Sequence, residues 1–453
     1  MNPMKTKILL SVAIVLVIGL AAGAFWWLRR PQVITFSDDS KVTLLKVEYG
    51  KRHAVPTAKA PAAPTTARTP ARRGPGSFTT TNDTLVLWVR QEYDSGQNQY
   101  RNFQYSVYDK AETACVQTYG RNYGNGRQGN EIVAVQIDAF PRRQGKFVVR
   151  VQENGNGGQE MSDQKFVIAN PARGSFANWT AEPLPATKSD DDLSVTLTKL
   201  VAGADAPINR NQDNPDDAMN KGVQAVLHIE RGGKPVANWE PVSVVTSDAT
   251  GNESRTIQIG QNGWQNGWAN NSWQDGDDTF IYQWGLWADE PAWKIKFEFS
   301  QQSDFSSDEQ WTVQNLPVQP GRQQDFYNYG GRNNTTNAAF AETDLNGVHL
   351  KVFPAKQFND LNFGNGQLNG GFQIQATPQL PPDMRLTLAK LTDDQGQDIQ
   401  YYSSGTMLGN GKSATYGYQL QNIAGATNLN LTLALHKSRF VEFTAKPEKA
   451  AAK

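Results

Sequence analysis

Three short stretches repeat one pattern of apolar and polar positions: Val42-Thr-Leu44-Leu-Lys-Val47, Val195-Thr-Leu197-Thr-Lys-Leu200 and Val348-His-Leu350-Lys-Val352-Phe353. Each starts with the period-two alternation of a half-buried strand. Each follows an Asp or Asn (Asp39, Asp192, Asn346), and the first valines stand 153 residues apart, twice over. The pattern predicts three modules, each opened by an equivalent strand. A closing pattern recurs too: Phe166-Val-Ile before Pro171, Trp311-Thr-Val before Pro317 and Phe440-Val-Glu-Phe before Pro447. An alternating stretch precedes each closer (146–152, 293–299, 429–435). Each module is therefore expected to end in a hairpin, stopped by a proline that cannot continue a central strand.

Between opener and closer, alternating segments such as 84–90, 103–108, 131–140, 223–230, 242–246 and 281–287 are separated by Gly, Asn and Pro, the residues of turns. The expectation is an all-β chain of three tandem Ig-like β-sandwich domains at 33–172, 188–318 and 345–447. A polar linker is expected at 319–344 and a disordered tail at 448–453. The Pro-, Ala- and Thr-rich residues 54–76 read as a flexible insertion within the first domain, because strand 41–47 needs a partner from the sheet formed after residue 77.

One stretch departs from the β pattern. Residues 8–28 are 21 consecutive uncharged, mostly apolar positions, enough to cross about 30 Å of hydrocarbon as a helix. Lys5 and Lys7 precede them, and Trp26 and Trp27 end them just before Arg29 and Arg30, as interfacial aromatics and anchoring charges do. The rival is a cleaved signal peptide, since Ala22-Gly-Ala24 is an acceptable cleavage site. Cleavage there would leave Phe25-Trp26-Trp27-Leu28 exposed at a new terminus, which favours an uncleaved anchor. The expected topology is a cytoplasmic tail at 1–7, a single transmembrane helix, and the bulk of the chain periplasmic or extracellular.

Composition narrows the partners. Lys plus Arg and Asp plus Glu both number 44, so the chain as a whole lacks the electrostatic footprint of a nucleic-acid binder. A single cysteine, Cys115, excludes an intramolecular disulfide. No Cys/His grouping has metal-ligand spacing, and no cofactor is expected.

Motifs with chemical meaning mostly dissolve in context. Gly124-Asn-Gly126-Arg-Gln-Gly129 has the spacing of a dinucleotide loop, but a strand-like segment follows it where a helix is required. Gly411-Lys412-Ser413 lacks the first glycine of a phosphate loop, because Thr406 stands there, and an alternating segment follows. His53, His228, His349 and His436 have no evident catalytic company. Acidic clusters at 190–192, 213–217 and 275–278 could hold a hard cation but lack EF-hand spacing, and solvated turn charges account for them.

One segment exceeds this background: 263–278, with Trp264, Trp268 and Trp273 among Gly, Asn, Gln and Asp. Flat aromatic faces flanked by amides and carboxylates are suited to sugar rings. The alternative is that these tryptophans fold back over a core together with Trp284, Trp287 and Trp293.

Phe140-Pro-Arg-Arg143, Glu182-Pro-Leu-Pro185, Asp248-Ala-Thr-Gly-Asn252 and Ser438-Arg-Phe440-Val-Glu together resemble an uncharacterised family of bacterial single-span membrane proteins with β-rich ectodomains. The resemblance implies a bacterial cell envelope and no activity. It makes the N-x-S/T matches at Asn82, Asn178 and Asn252 incidental. The expected function is a structural or ligand- or protein-binding role at the membrane without catalysis. The alternative is a glycan-binding or glycan-hydrolysing envelope protein that uses the Trp-rich loop.

Overall fold

The computed structural model describes residues 31–56, 77–93, 102–110, 115–122, 129–155, 158–172, 174–205, 221–257, 272–274, 277–282, 285–321, 338–358, 368–409, 412–421, 423 and 425–449. The chain divides into two compact units, Met1–Ala177 and Asn178–Lys453. Both are all-β among the described residues, as the alternation predicts. The apolar run 8–28 lies outside the described residues. Among those that are described, no helix is long and apolar enough to cross a membrane.

The first unit contains β1 (Val33–Thr35), β2 (Lys41–Ala54), β3 (Ser77–Glu92), β4 (Asn102–Tyr108), β5 (Cys115–Asn122), β6 (Asn130–Ile137), β7 (Lys146–Gly155) and β8 (Gly158–Ala169). They form one sheet in the order β1-β2-β3-β6-β5-β4-β7-β8. The expected pairing of strand 41–47 with the sheet after residue 77 is present, Val42 opposite Gln91 and Val47 opposite Leu87. Ala54 pairs with Ser77, so the insertion joins two paired strand ends, and its residues 57–76 lie outside the described set. The two ends of the sheet meet. The Gln32 side-chain amide receives the Val167 backbone N–H at 2.8 Å and donates to the Val167 carbonyl at 3.1 Å, acting as a one-residue strand across the seam. Inside lie Val42, Leu87, Tyr105, Phe147 and Phe166, all fully buried.

Alternation fails on β3, where Thr84 to Val89 are buried without a break. Both faces are covered there: Val86, Trp88 and Ala134 form a second small core under Leu45, Val55 and Phe78. The Trp88 indole donates to Glu48 at 2.7 Å. Burial alone would raise the Glu48 pKa, but hydrogen bonds from Lys46, Trp88 and the Ala54 amide together hold it below the usual carboxylate range.

In the second unit the chain first lays down β9 (Ala186–Asp190), β10 (Leu193–Asp205), β11 (Lys221–Arg231), β12 (Lys234–Pro235), β13 (Trp239–Asp248), β14 (Glu253–Ile257), β15 (Ser272–Gln274), β16 (Asp277–Tyr282) and β17 (Trp293–Gln301). One sheet runs β15-β16-β11-β10, with β9 paired to β10 and β12 to β11, and another runs β14-β13-β17. After a short 3-10 turn at Ser307–Glu309 come β18 (Gln310–Gly321), β19 (Ala341–Leu345), β20 (Val348–Val352), β21 (Ala355–Phe358), β22 (Leu368–Thr377), β23 (Met384–Asp393), β24 (Tyr401–Gly409), β25 (Ser413–Gln421) and β26 (Asn428–Lys437). These nine make their own sheet around a core that includes Leu316, Leu350, Phe372, Leu420 and Leu433. The chain then returns with β27 (Arg439–Ala445) and β28 (Glu448–Lys449).

The first expected closing hairpin is present as β7-β8, Val149 opposite Phe166, but the return corrects the other two. β17 does not pair with β18, nor β26 with β27; instead β27 runs antiparallel to β17 and β18 antiparallel to β26. Residues 310–437 are thus inserted between two adjacent strands of the preceding sheet, where a tandem order was expected with the linker at 319–344. Residues 448 and 449, expected in a disordered tail, pair in parallel with β10.

The joint between insert and host is bolted by a buried charge. Glu298, on β17, accepts from the Arg385 Nε at 2.6 Å and the Ser438 hydroxyl at 2.7 Å, and Arg385 completes a bidentate grip with a second nitrogen. The Arg385 side chain is 39% exposed and that of Glu298 8%. Arg385→Met is therefore expected to cost about 2–3 kcal/mol, below the full penalty for orphaning a buried ion because water reaches the arginine. Urea unfolding of the full chain measures it, and a loss under about 0.5 kcal/mol would show the pair to be idle.

Each opening strand is the second arm of a hairpin: β1-β2, β9-β10 and β19-β20. The turns hold Asp39, Asp191 and Asn346 in the left-handed region (φ 67°, 56° and 50°), which Asp and Asn tolerate better than other side chains. In the second copy it is Asp191, not Asp192, that adopts it. The first two copies also share a register shift at the same place, between Leu44 and Lys46 and between Leu197 and Lys199. The third copy has none there.

Candidate functional site

Of the expected aromatic site, Trp264 and Trp268 lie outside the described residues. Trp273 lies on β15, opposite Asp278 of β16, and among the described residues β15 pairs on that side only, at the edge of the sheet. Two other tryptophans of the alternative reading are core: Trp287 is 2% exposed and Trp293 fully buried, with the Trp293 indole donating to the Trp287 carbonyl at 3.2 Å.

The acidic cluster at 190–192 is committed to the protein's own donors. Asp190 accepts from the Phe440 amide at 2.7 Å, Asp191 from Arg439 at 2.9 Å, and Asp192 from Arg231. The Arg231 hydrogen bond leads in holding the Asp192 pKa below its ordinary value. This turn clasps β27 to the β9-β10 hairpin. The clusters at 213–217 and 275–276 lie outside the described residues, and among those described no group of His, Cys, Asp and Glu is arranged to hold a metal. Residues 124–128 and 411 of the two glycine motifs lie outside the described residues; the strands on either side pair antiparallel, β5 with β6 and β24 with β25.

The motifs that carry the family resemblance are likewise joints. The Asn170 amide donates to the carbonyls of Pro141, Arg142 and Gln144, while Arg142 lies 5.0 Å over the Phe140 ring. The Glu182 amide donates to Thr444. Buried Asp248 accepts from the amide and hydroxyl of Thr250 and from the Asn252 side chain at 2.8 Å, closing the β13-β14 turn. Asn252, 1% exposed, cannot be reached by a glycosylating enzyme in the folded chain.

The structure gives histidines company that sequence reasoning missed: His228 lies 3.4 Å from Glu230, and His349 has two carboxylates. His349 on β20 sits between Asp344 (3.0 Å) and Glu342 (3.1 Å) of β19, and Lys351 also contacts Glu342. Lys351 leads in depressing the Glu342 pKa. The signal was Asn346-Gly347, a two-residue hairpin turn that fixes 344 opposite 349 and 342 opposite 351. The cluster is a solvated cross-strand ladder in which Asp344 and Glu342 face His349 and Lys351. It stabilises a hairpin without further chemistry in view.

His436 is the buried counterpart, 2% exposed at the insert joint, 4.8 Å from the Phe305 ring and 3.0 Å from the Thr387 hydroxyl. Burial leads in pushing its pKa down to about 4, with Glu309 opposing and Arg385 adding to the effect. The unfolded chain takes up this proton near pH 6.5 and the folded chain only near 4. Stability should therefore fall by up to about 3 kcal/mol as pH drops through that window. Unfolding curves at pH 7 and 4.5 should show the drop in the native chain and a smaller one in His436→Gln; equal drops would exclude His436 as a cause.

One strand, β24, has a single partner among the described residues, β25. Its nine residues carry no charge and no proline. No known family profile matches this chain, and no curated protein resembles it closely enough to count as a relative.

Proposed function

We propose that this is a single-span bacterial envelope protein, anchored by residues 8–28, whose Ig-like β-sandwich units form a structural or protein-binding scaffold outside the cytoplasm, without catalysis. The observation that supports the anchor most directly is the short leash. Gln32 is already bound on both sides, its carbonyl to the Leu44 amide at 2.9 Å and its side chain to Val167. It stands four residues after Leu28, at most about 14 Å of extended chain. A unit tied this tightly to the apolar run is held at the bilayer surface. The uncharged β24 edge supports the protein-binding part, since strand addition is a common mode of recognition. Alkaline carbonate extraction tests the anchor: the full chain should stay with the membrane and a chain lacking residues 8–28 should be released. Release of both would sink the reading.

The position of Trp273 on the edge strand β15 favours a second reading, glycan binding through Trp264, Trp268 and Trp273. Retention on purified cell-wall glycan should then fall at least tenfold when the three are changed to alanine, equivalent to about 1.4 kcal/mol. Unchanged retention removes it.

A further inference from the structure

Three large apolar side chains are conspicuously exposed among the described residues: Val33 at 41%, Val167 at 44% and Phe340 at 41%. Two of them, Val33 and Val167, are 134 positions apart yet meet at one place. Gln32 binds the Val167 backbone from both sides, so β1 and β8 run together at the seam of the first unit. Both valines point away from the core, because their chain neighbours Ile34, Phe166 and Ile168 are buried.

Exposed Lys165 stands two residues from Val167 on the same outward face of β8, and exposed Lys41 opens β2 opposite Thr35. Acids are also near: Asp38 and Asp39 occupy the β1-β2 turn beside Lys41, Glu92 of β3 stands opposite Lys41, and Asp163 lies four residues before Val167. An apolar centre with lysines at its rim is the pattern of a surface that rests in the headgroup region, apolar groups reaching the acyl boundary and ammonium groups meeting anionic phosphates.

What covers this patch follows from where the preceding chain ends. We infer that the β1-β8 seam is a lipid-contact surface: Val33 and Val167 dip into the leaflet from which residues 8–28 emerge, with Lys41 and Lys165 on its phosphates. This rests on the reading of residues 8–28 as a bilayer anchor and deepens it. The seam does more than hang near the membrane; it docks on it and fixes the orientation of the first unit. The Gln32 clamp then has a second role, since it is what brings the two valines together.

The test uses the full chain reconstituted in vesicles of phosphatidylcholine and phosphatidylglycerol, with Cys115→Ser and an environment-sensitive fluorophore on V33C, V167C or D83C. Exposed Asp83 is the control. It lies eight residues, or about 26 Å, along β3 from Gln91, the partner of Val42, and Gln91 is itself two strands from the seam. Lipids carrying a shallow quencher should dim positions 33 and 167 about threefold more than position 83, and emission at both should shift to the blue. Carbonate extraction is run on the same samples. Quenching at 33 and 167 no greater than at 83 in a chain that resists extraction overturns the lipid-contact surface and leaves the anchor standing. Release by carbonate overturns both.

Discussion

A chain that stops at Lys437 is expected to lose the folded state of residues 178–301 along with the strands removed. β27 is the outer neighbour of β17 throughout its length, from Trp293 opposite Ala445 to Phe299 opposite Arg439. Its inward residues Val441, Phe443 and Ala445 are no more than 2% exposed. Withdrawing them removes about 5 kcal/mol of apolar burial, comparable with the whole stability of a typical domain. The loss also frees the edge of β17 and the Asp190–Asp192 clasp. Limited proteolysis of the truncated chain should cut within 178–301 at once. Under a tandem order the same truncation would spare 188–318, so a native-like protease pattern there would refute the nested arrangement.

Trp293→Ala is expected to destabilise the second unit by about 3–5 kcal/mol. The side chain is fully buried on β17, between β13 and β27, and its indole nitrogen satisfies the Trp287 carbonyl. Alanine leaves a cavity lined by strands that cannot close on it without breaking the β13-β17 register, and the Trp287 carbonyl loses the indole while keeping the Glu290 amide. Urea unfolding followed by near-ultraviolet circular dichroism measures the loss. A change below about 1 kcal/mol would mean that the site collapses freely.

β17 also shows what could be read in the sequence. The alternation of Trp293, Ile295, Phe297 and Phe299 against Lys294, Lys296 and Glu298 gave the strand and its inward face correctly, since side-chain direction in a strand is a local property. It could not show that Glu298 is buried, because that depends on Arg385 and Ser438, distant in the chain. The exchange of partners was hidden for the same reason. β17-β18 and β26-β27 satisfy hairpin patterning as well as the observed β17-β27 and β18-β26 do, and alternation does not name a partner. The repeated opener was legible because its turn residues and its strand lie together. The continuous burial of β3 was not, since it needs Val55 and Phe78 folded over its outer face. As for the candidate site, only the hairpin register that unites His349 with two carboxylates was available from the sequence. The acidic turn at 190–192 looked free until β27 returned to occupy it.

Three of the four motifs behind the family resemblance hold turns or strand joints, and the fourth, from Ser438, begins the return strand. They report how the chain is built, which agrees with the proposed scaffold; a partner would be sought at the β24 edge or at the tryptophan strand β15. The central claim is that residues 8–28 fix this scaffold to a bilayer with the β-rich units outside the cytoplasm. Labelling of D83C, in a Cys115→Ser background, by a membrane-impermeant maleimide on intact spheroplasts tests it most directly. The account predicts labelling before lysis equal to that after lysis. Labelling that appears only after lysis would contradict it.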